Sequence, residues 1–232
     1  MGAPTNARQR ARAELTRDIK DEARRQLAMV GAPALSLRAV ARQLEMASSA
    51  LYRYFPSRDD LLTALIIDAY DALGEAGEAA DRARGRGEIL SRWRAVCRAI
   101  RAFGLERPNE YALLYGSPVP GYRAPEATIG PASRITLVLA GIMSDAAVTR
   151  QPVATGYSQP LPPVLAEEVS RIRELALPGV AEEGIVRGLM AWTQVFGLVS
   201  FELCGHFTGV IEDTDTFFGR AVDEVAGFLG LG

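Results

Sequence analysis

The chain has 232 residues, 48% apolar and 23% charged, a balance that supplies a buried core and excludes wholesale disorder. Its formal net charge of −2 conceals a polarity: residues 1–58 carry 11 Arg/Lys against 5 Asp/Glu, whereas the remainder carries 15 against 23. A basic end on an acidic body predicts that one end meets a polyanion and the rest does not.

In chain order the pattern is helical. Leu15, Ile19, Ala23, Leu27 and Val30 recur at helical spacing and predict a helix closed by Gly31, preceded by a flexible basic arm over residues 1–10. Ser36 caps a short helix whose apolar face is Leu37, Val40, Ala41 and Leu44. Glu45-Met46-Ala47 has room only for a turn. A second short helix follows with Ala47, Leu51 and Phe55 inward, and Pro56 stops it. Ser57 caps the next, with Asp59 and Asp60 in its first turn, where the macrodipole favours acid. That helix runs through Leu61, Leu62, Leu65, Ile66 and Ala69.

Beyond Gly85, Ile89, Trp93, Val96, Ile100 and Phe103 form one stripe ending near Arg107-Pro108. A short helical piece over Glu110–Tyr115 leads into the loop Gly116–Gly121. A helix is predicted from Ile129 to Val148, then a Pro-rich mobile linker over Gln151–Pro163. Further helices are predicted over Leu165–Leu177, Glu182–Phe207 and Thr214–Leu229. No strand-like alternation of useful length occurs, so the fold class is all-α: an N-terminal three-helix helix-turn-helix domain (1–58) plus a C-terminal helical domain (59–232).

Residues 36–55 carry the functional argument. Two helices of two turns each cannot bury enough surface to stand alone, so the flanking helices must clamp them. That is the construction of a helix-turn-helix unit, whose second helix enters the major groove of DNA. With Leu51 and Phe55 inward, Ser48, Ser49, Tyr52 and Arg53 point away from the core. Arg38 and Arg58 flank them as phosphate partners, and Tyr54 adds a second exposed phenol.

The runs Leu35-Ser-Leu-Arg-Ala-Val-Ala-Arg-Gln-Leu44 and Ser48-Ser-Ala-Leu-Tyr-Arg-Tyr-Phe-Pro-Ser-Arg-Asp-Asp-Leu-Leu62 resemble the N-terminal domain of TetR/AcrR transcriptional regulators, over about residues 15–65. The resemblance implies DNA contact by Ser36, Arg38, Ser48, Ser49, Tyr52, Tyr54 and Arg58. Glu45 stands where that family usually has Gly in the turn, which predicts either a strained or a slightly different turn. The C-terminal half is similar to the Trp-His-Gly branch of the same family, through Phe103–Gly121, Trp192-Thr-Gln-Val-Phe-Gly197 and Phe201-Glu-Leu203, with Phe196 in the place of the histidine. This implies a ligand-binding and dimerisation domain.

A homodimer needs apolar helix surface beyond one subunit's core, and Ile185, Leu189, Val195, Leu198, Val199 and Phe201 cover more than one face. Candidate pocket residues for an unknown small-molecule effector are Trp93, Phe103, Tyr111, Tyr115, Trp192, Phe196 and Glu202, the last with His206 at i+4. Neither a cofactor nor a metal is expected. One histidine and two distant cysteines, Cys97 and Cys204, make neither a Cys/His zinc set nor a disulfide framework, and the thiols are expected reduced and buried.

No nucleophile elbow, phosphate-cradling loop or His-Glu-x-x-His motif marks an enzyme. No apolar leader or bilayer-length apolar segment is read, and Asn6 stands where a myristoylation signal has Ser or Thr, so a cytoplasmic protein without membrane partners is expected. The reading is a homodimeric, ligand-released regulator, most simply a repressor, on a palindromic double-stranded operator. The alternative is a dimeric small-molecule-binding protein with a vestigial DNA-binding end. A salt series on DNA affinity separates the two.

Overall fold

The computed structural model describes residues 3–149 and 160–231. The expected linker over 151–163 lies outside them except for its last residues. Among the described residues every regular element is helical: α1 (Ala3–Val30), α2 (Leu37–Gln43), α3 (Ser48–Leu51), α4 (Arg58–Arg82), α5 (Ile89–Glu106), α6 (Pro108–Tyr115), α7 (Ile129–Thr149), α8 (Pro163–Ala176), α9 (Glu182–Leu203) and α10 (Thr214–Leu229), with 3-10 turns at Ala32–Ala34 and Glu126–Thr128. The all-α class expected from the pattern is what the chain adopts.

The helices form two compact units, one of residues up to Ala69 with Asn109–Ile129, the other of Tyr70–Pro108 with Gly130 onward. This grouping differs from a division at residues 58 and 59. The reason is α4, whose first half carries Leu61, Leu62, Leu65 and Ile66 into the N-terminal core. The arm expected over residues 1–10 is also corrected: from Ala3 onward it is helix, continuous with α1. Ala7, Arg8, Gln9, Arg10, Ala11 and Arg12 are all strong helix formers, and nothing in the run breaks the helix.

In the N-terminal unit, Ile19, Ala23 and Leu27 of α1, Leu37, Val40 and Ala41 of α2, Leu51 of α3 and the leucines of the first half of α4 are all buried, and α2 packs on both α1 and α3. Polar ties fix the frame. Lys20 and Arg24 both reach Asp68, at 2.7 and 2.5 Å, and Arg24 lies 3.5 Å from Glu110. Gly31, at φ 73°, closes α1 through its N–H to Leu27 O, as its left-handed freedom allows.

In the C-terminal unit, α9 packs on α5, α8 and α10. Trp93, 1% exposed, donates its indole N–H to Val222 O at 3.0 Å, locking α5 to α10. Arg92 is buried and bridges Asp81 and Asp145, both at 2.7 Å. α4 approaches α7 closely: a Cβ at Gly74 would fall 2.7 Å from Arg134 Cβ.

Two further expectations are corrected here. The helical segments Glu126–Val148 and Glu182–Leu203 are long and apolar enough, by length and composition, to cross a bilayer. Both instead bury residues in this unit, Ile135 and Ile142 in the first and Ile185, Val195 and Val199 in the second. Cys97 is buried, as expected, and desolvation holds its thiol protonated, but Cys204 is exposed because α9 ends at Leu203.

Candidate nucleic-acid interface

Ser36 caps α2: its hydroxyl accepts from the Ala39 N–H at 3.4 Å, while its own N–H donates to Gln26 Oε1 at 3.4 Å and ties the cap to α1. α2 turns Leu37, Val40 and Ala41 inward, leaving Arg38 and Arg42 exposed. The turn that follows is a Schellman closure. Glu45 N–H donates to Arg42 O at 3.2 Å and Met46 N–H to Ala41 O at 2.8 Å. Glu45 takes φ 54°, the left-handed value that the sequence anticipated for this position if the turn kept its usual shape.

α3 is shorter than its pattern suggests. Regular helix covers Ser48–Leu51, after which Arg53 N–H donates to Ala50 O and Tyr54 N–H to Leu51 O, the i−3 bonds of a tightened final turn. Leu51 is fully buried and Phe55 nearly so, which fixes the rotation of the whole segment. Ser48, Ser49, Tyr52 and Arg53 therefore face solvent, with Arg38 exposed on the neighbouring helix. This face offers two small hydroxyls, a phenol and two guanidiniums, all donors, and α3 itself carries no carboxylate. Small residues permit close approach to base edges, and the cations suit phosphates.

Tyr54 and Arg58 are placed differently. Tyr54 is half-buried, with the Arg12 guanidinium carbon 5.4 Å from its ring centroid. Arg58 donates to Ala32 O at 2.7 Å and Pro33 O at 3.2 Å. Standing at the first position of α4, Arg58 thereby ties that helix to the 3-10 turn, whose Ala32 O also accepts from the Leu35 N–H at 3.3 Å; the residue pattern led to the expectation of a flanking phosphate contact instead. Arg42, exposed on α2, was not singled out from sequence, although its spacing from Arg38 (i, i+4) was the available signal.

The seven pocket candidates are divided between the two units. Trp93 is committed to Val222, and Phe103 is buried beneath Arg107, whose guanidinium carbon is 5.7 Å from the ring centroid. Tyr111 and Tyr115, with ring centroids 5.0 Å apart, belong to the N-terminal unit. Trp192 and Phe196 pair on α9 at 5.5 Å. The indole Nε1 of Trp192 is buried and has no hydrogen-bond partner among the described residues.

Glu202 pairs with Arg101 through both oxygens, each at 2.7 Å. The hydrogen bonds from Arg101 hold its carboxyl below the ordinary glutamate range. The i+4 relation to His206 does not form, because His206 lies beyond the end of α9 and its ring sits 4.8 Å from that of Phe201. Sequence reasoning also missed an open apolar groove of about 700 Å³ between α9 and α10, walled by Leu198, Phe201, Phe217, Ala221 and Phe228. The i, i+4 spacing of Phe217 and Ala221, continued at Phe228, was the signal.

Residues 19–65 match the family described as bacterial regulatory proteins of the tetR family, and residues 93–225 match the tetracyclin repressor-like C-terminal domain. The chain belongs to the TetR family. It is a transcriptional regulator with that family's helix-turn-helix DNA-binding domain. The HTH-type transcriptional regulators Rv1816 of Mycobacterium tuberculosis and Mb1846 of Mycobacterium bovis are each 38% identical to it over 226 residues, spanning 90% of this chain and 92% of theirs. The crystal structure of SCO4313, assigned as a regulatory protein, superposes with a TM-score of 0.77 at 33% identity, over 94% of this chain and 98% of that one. PfmR from Thermus thermophilus, a TetR family transcriptional regulator, shares the fold at 14% identity with a TM-score of 0.51, over 89% of this chain and 96% of that one.

For this TetR-family chain, Glu45 defines a test of the turn. A non-glycine residue held left-handed is disfavoured by about 1–2 kcal/mol, part of which a flexible glycine gives back through the unfolded state. Glu45→Gly is expected to raise stability by roughly 0.5–1 kcal/mol while keeping both closing hydrogen bonds. Urea unfolding would show a higher midpoint at an unchanged slope; a lower midpoint would mean that the Glu45 side chain contributes more than its backbone strain removes.

Proposed function

We propose that this regulator is a homodimeric, ligand-responsive repressor that binds a palindromic operator and is released by a small molecule. In each subunit α3 enters the major groove, with Ser48, Ser49 and Tyr52 at base edges and Arg38 and Arg53 at phosphates, while Ser36 uses its free hydroxyl proton and Tyr54 its phenol at the margin. The observation that carries this reading is the outward face of α2 and α3, rich in donors and rotated into place by buried Leu51 and Phe55.

The dimer seam is assigned to α9 and α10, where Phe201 lines the open groove and Leu189 and Met190 are further exposed apolar residues of α9. A twofold pair then presents two recognition helices to half-sites about 34–36 Å apart, or a multiple of that. The effector site is assigned to the C-terminal unit around Trp192 and Phe196. A buried indole N–H without an acceptor is costly, and a ligand carbonyl or carboxylate would satisfy it. The Trp192-to-Gly197 stretch also supports affinity with the Trp-His-Gly branch. Release follows if ligand favours a conformation with a different half-site spacing. Such a regulator works in the cytoplasm, on DNA.

Joint replacement of Tyr52 and Arg38 by Ala tests the assignment. Each contact to a base or phosphate is worth about 1–3 kcal/mol, so specific operator affinity is expected to fall on the order of 10²-fold or more. Both side chains are exposed, so melting temperature and subunit association stay as they were. Unchanged operator binding would overturn the site.

A further inference from the structure

The inward stripe of α1 changes character along its length. From its C-terminal end, Gln26, Ala23 and Ile19 are buried and Leu15 is half-buried; the same line, continued at helical spacing, reaches Arg12 and then Arg8. From Ala7 to Glu14 every residue is exposed. The helix therefore overhangs its domain, and where the packing face runs out of protein to meet, it carries guanidiniums. Neither Arg8 nor Arg12 has an ion-pair partner among the described residues. Arg12 lies over the ring of Tyr54, immediately beyond α3, which places the cationic stripe beside the DNA-facing surface.

We infer that the α1 overhang is a second DNA-binding element, whose Arg8 and Arg12 contact the sugar-phosphate backbone next to the major-groove site. This rests on the DNA-binding reading above and extends it. Charge complementarity selects the occupant: a face of two cations that pair with no carboxylate among the described residues suits a polyphosphate surface, and guanidiniums bind phosphate as paired donors. Reach is sufficient. From Arg8 to Ile19 the helix axis advances about 16 Å, the length of about five base pairs of duplex. Because such contacts are blind to sequence, they lengthen the footprint and steepen its salt dependence without adding base specificity.

The test uses the full-length protein and a 40-base-pair duplex selected by it from a random library, together with versions of that duplex trimmed from both ends. Arg8→Ala with Arg12→Ala keeps helix propensity, so circular dichroism and association state should match the parent. The slope of log affinity against log salt should become shallower by about 0.9 for each phosphate contact removed. Trimming the flanks should weaken the parent and leave the double variant indifferent, and lysine at both positions should restore most of the slope. If the parent binds the selected duplex and the variant shows the same slope and the same response to trimming, the overhang is not a DNA element. If the parent selects no sequence at all, the DNA-binding reading itself fails, and the inference with it.

Discussion

Phe201→Glu, alone or together with Met190→Glu, is expected to yield a folded monomer that no longer holds a two-half-site operator. Phe201 and Met190 are 54% and 47% exposed on α9, on a face that includes Leu198 and Gly197 and borders the groove shared with Phe217 and Phe228 of α10. The opposite face of α9 is already spent: Ile185, Ala191, Val195 and Val199 are buried within the subunit. The outward face is thus surplus to the monomer's core, and apolar burial at about 25 cal/mol per Å² gives it reason to associate. A carboxylate forced into such a seam costs several kcal/mol unless it is paired, whereas in a separated subunit it is solvated. Once the proposed dimer dissociates, the second half-site is no longer a tethered event, and operator affinity falls by orders of magnitude. Light scattering coupled to size exclusion, followed by operator titration, reads both effects. A variant that stays dimeric with full affinity would place the seam elsewhere.

The same helix shows where sequence legibility ends. The periodicity of Ile185, Val195, Val199 and Phe201 revealed two apolar faces, because helical spacing reports rotation about one axis. It could not report that α9 stops at Leu203, where Cys204 and the left-handed Gly205 turn the chain and carry His206 away from Glu202. The helix-turn-helix was readable because its signals are local: the Ser36 cap, the short turn, Leu51 with Phe55, and Pro56. The tie made by Arg58 was not legible because its partners, Ala32 and Pro33, are backbone carbonyls more than twenty residues upstream. The helix of the overhang was legible only through propensity, which favours helix there, because no apolar stripe marks its residues. The Arg101–Glu202 pair spans 101 residues of sequence; no spacing rule links two such positions.

That pair is expected to produce the largest stability loss from a single polar side chain. Arg101 and Glu202 are 13% and 12% exposed. Arg101 also bonds Thr214 at 3.2 Å, pairs with Asp215, and lies over Phe218 with its guanidinium carbon 5.2 Å from the ring centroid, so one side chain joins α5, the end of α9 and the start of α10. Arg101→Met keeps most of the aliphatic volume but leaves Glu202 without its counter-charge, a change worth about 3–5 kcal/mol at neutral pH. The pH dependence follows from the direction of the shift. In the parent, Arg101 lowers the folded-state pKa of Glu202 below its unfolded value, so the pair contributes fully above the unfolded value and its contribution is lost as pH falls through the folded one. In the variant the partner is gone and desolvation raises the folded-state pKa instead; protonation then relieves the buried charge. The gap in melting temperature between parent and variant should therefore be widest near pH 7 and narrow steadily toward pH 4. Replacing both members, Arg101→Met with Glu202→Leu, should recover much of the loss, since paired apolar residues often match a buried ion pair. A gap that does not change with pH would show that Arg101 stabilises the unit through its packing on Phe218 rather than through the charge of Glu202.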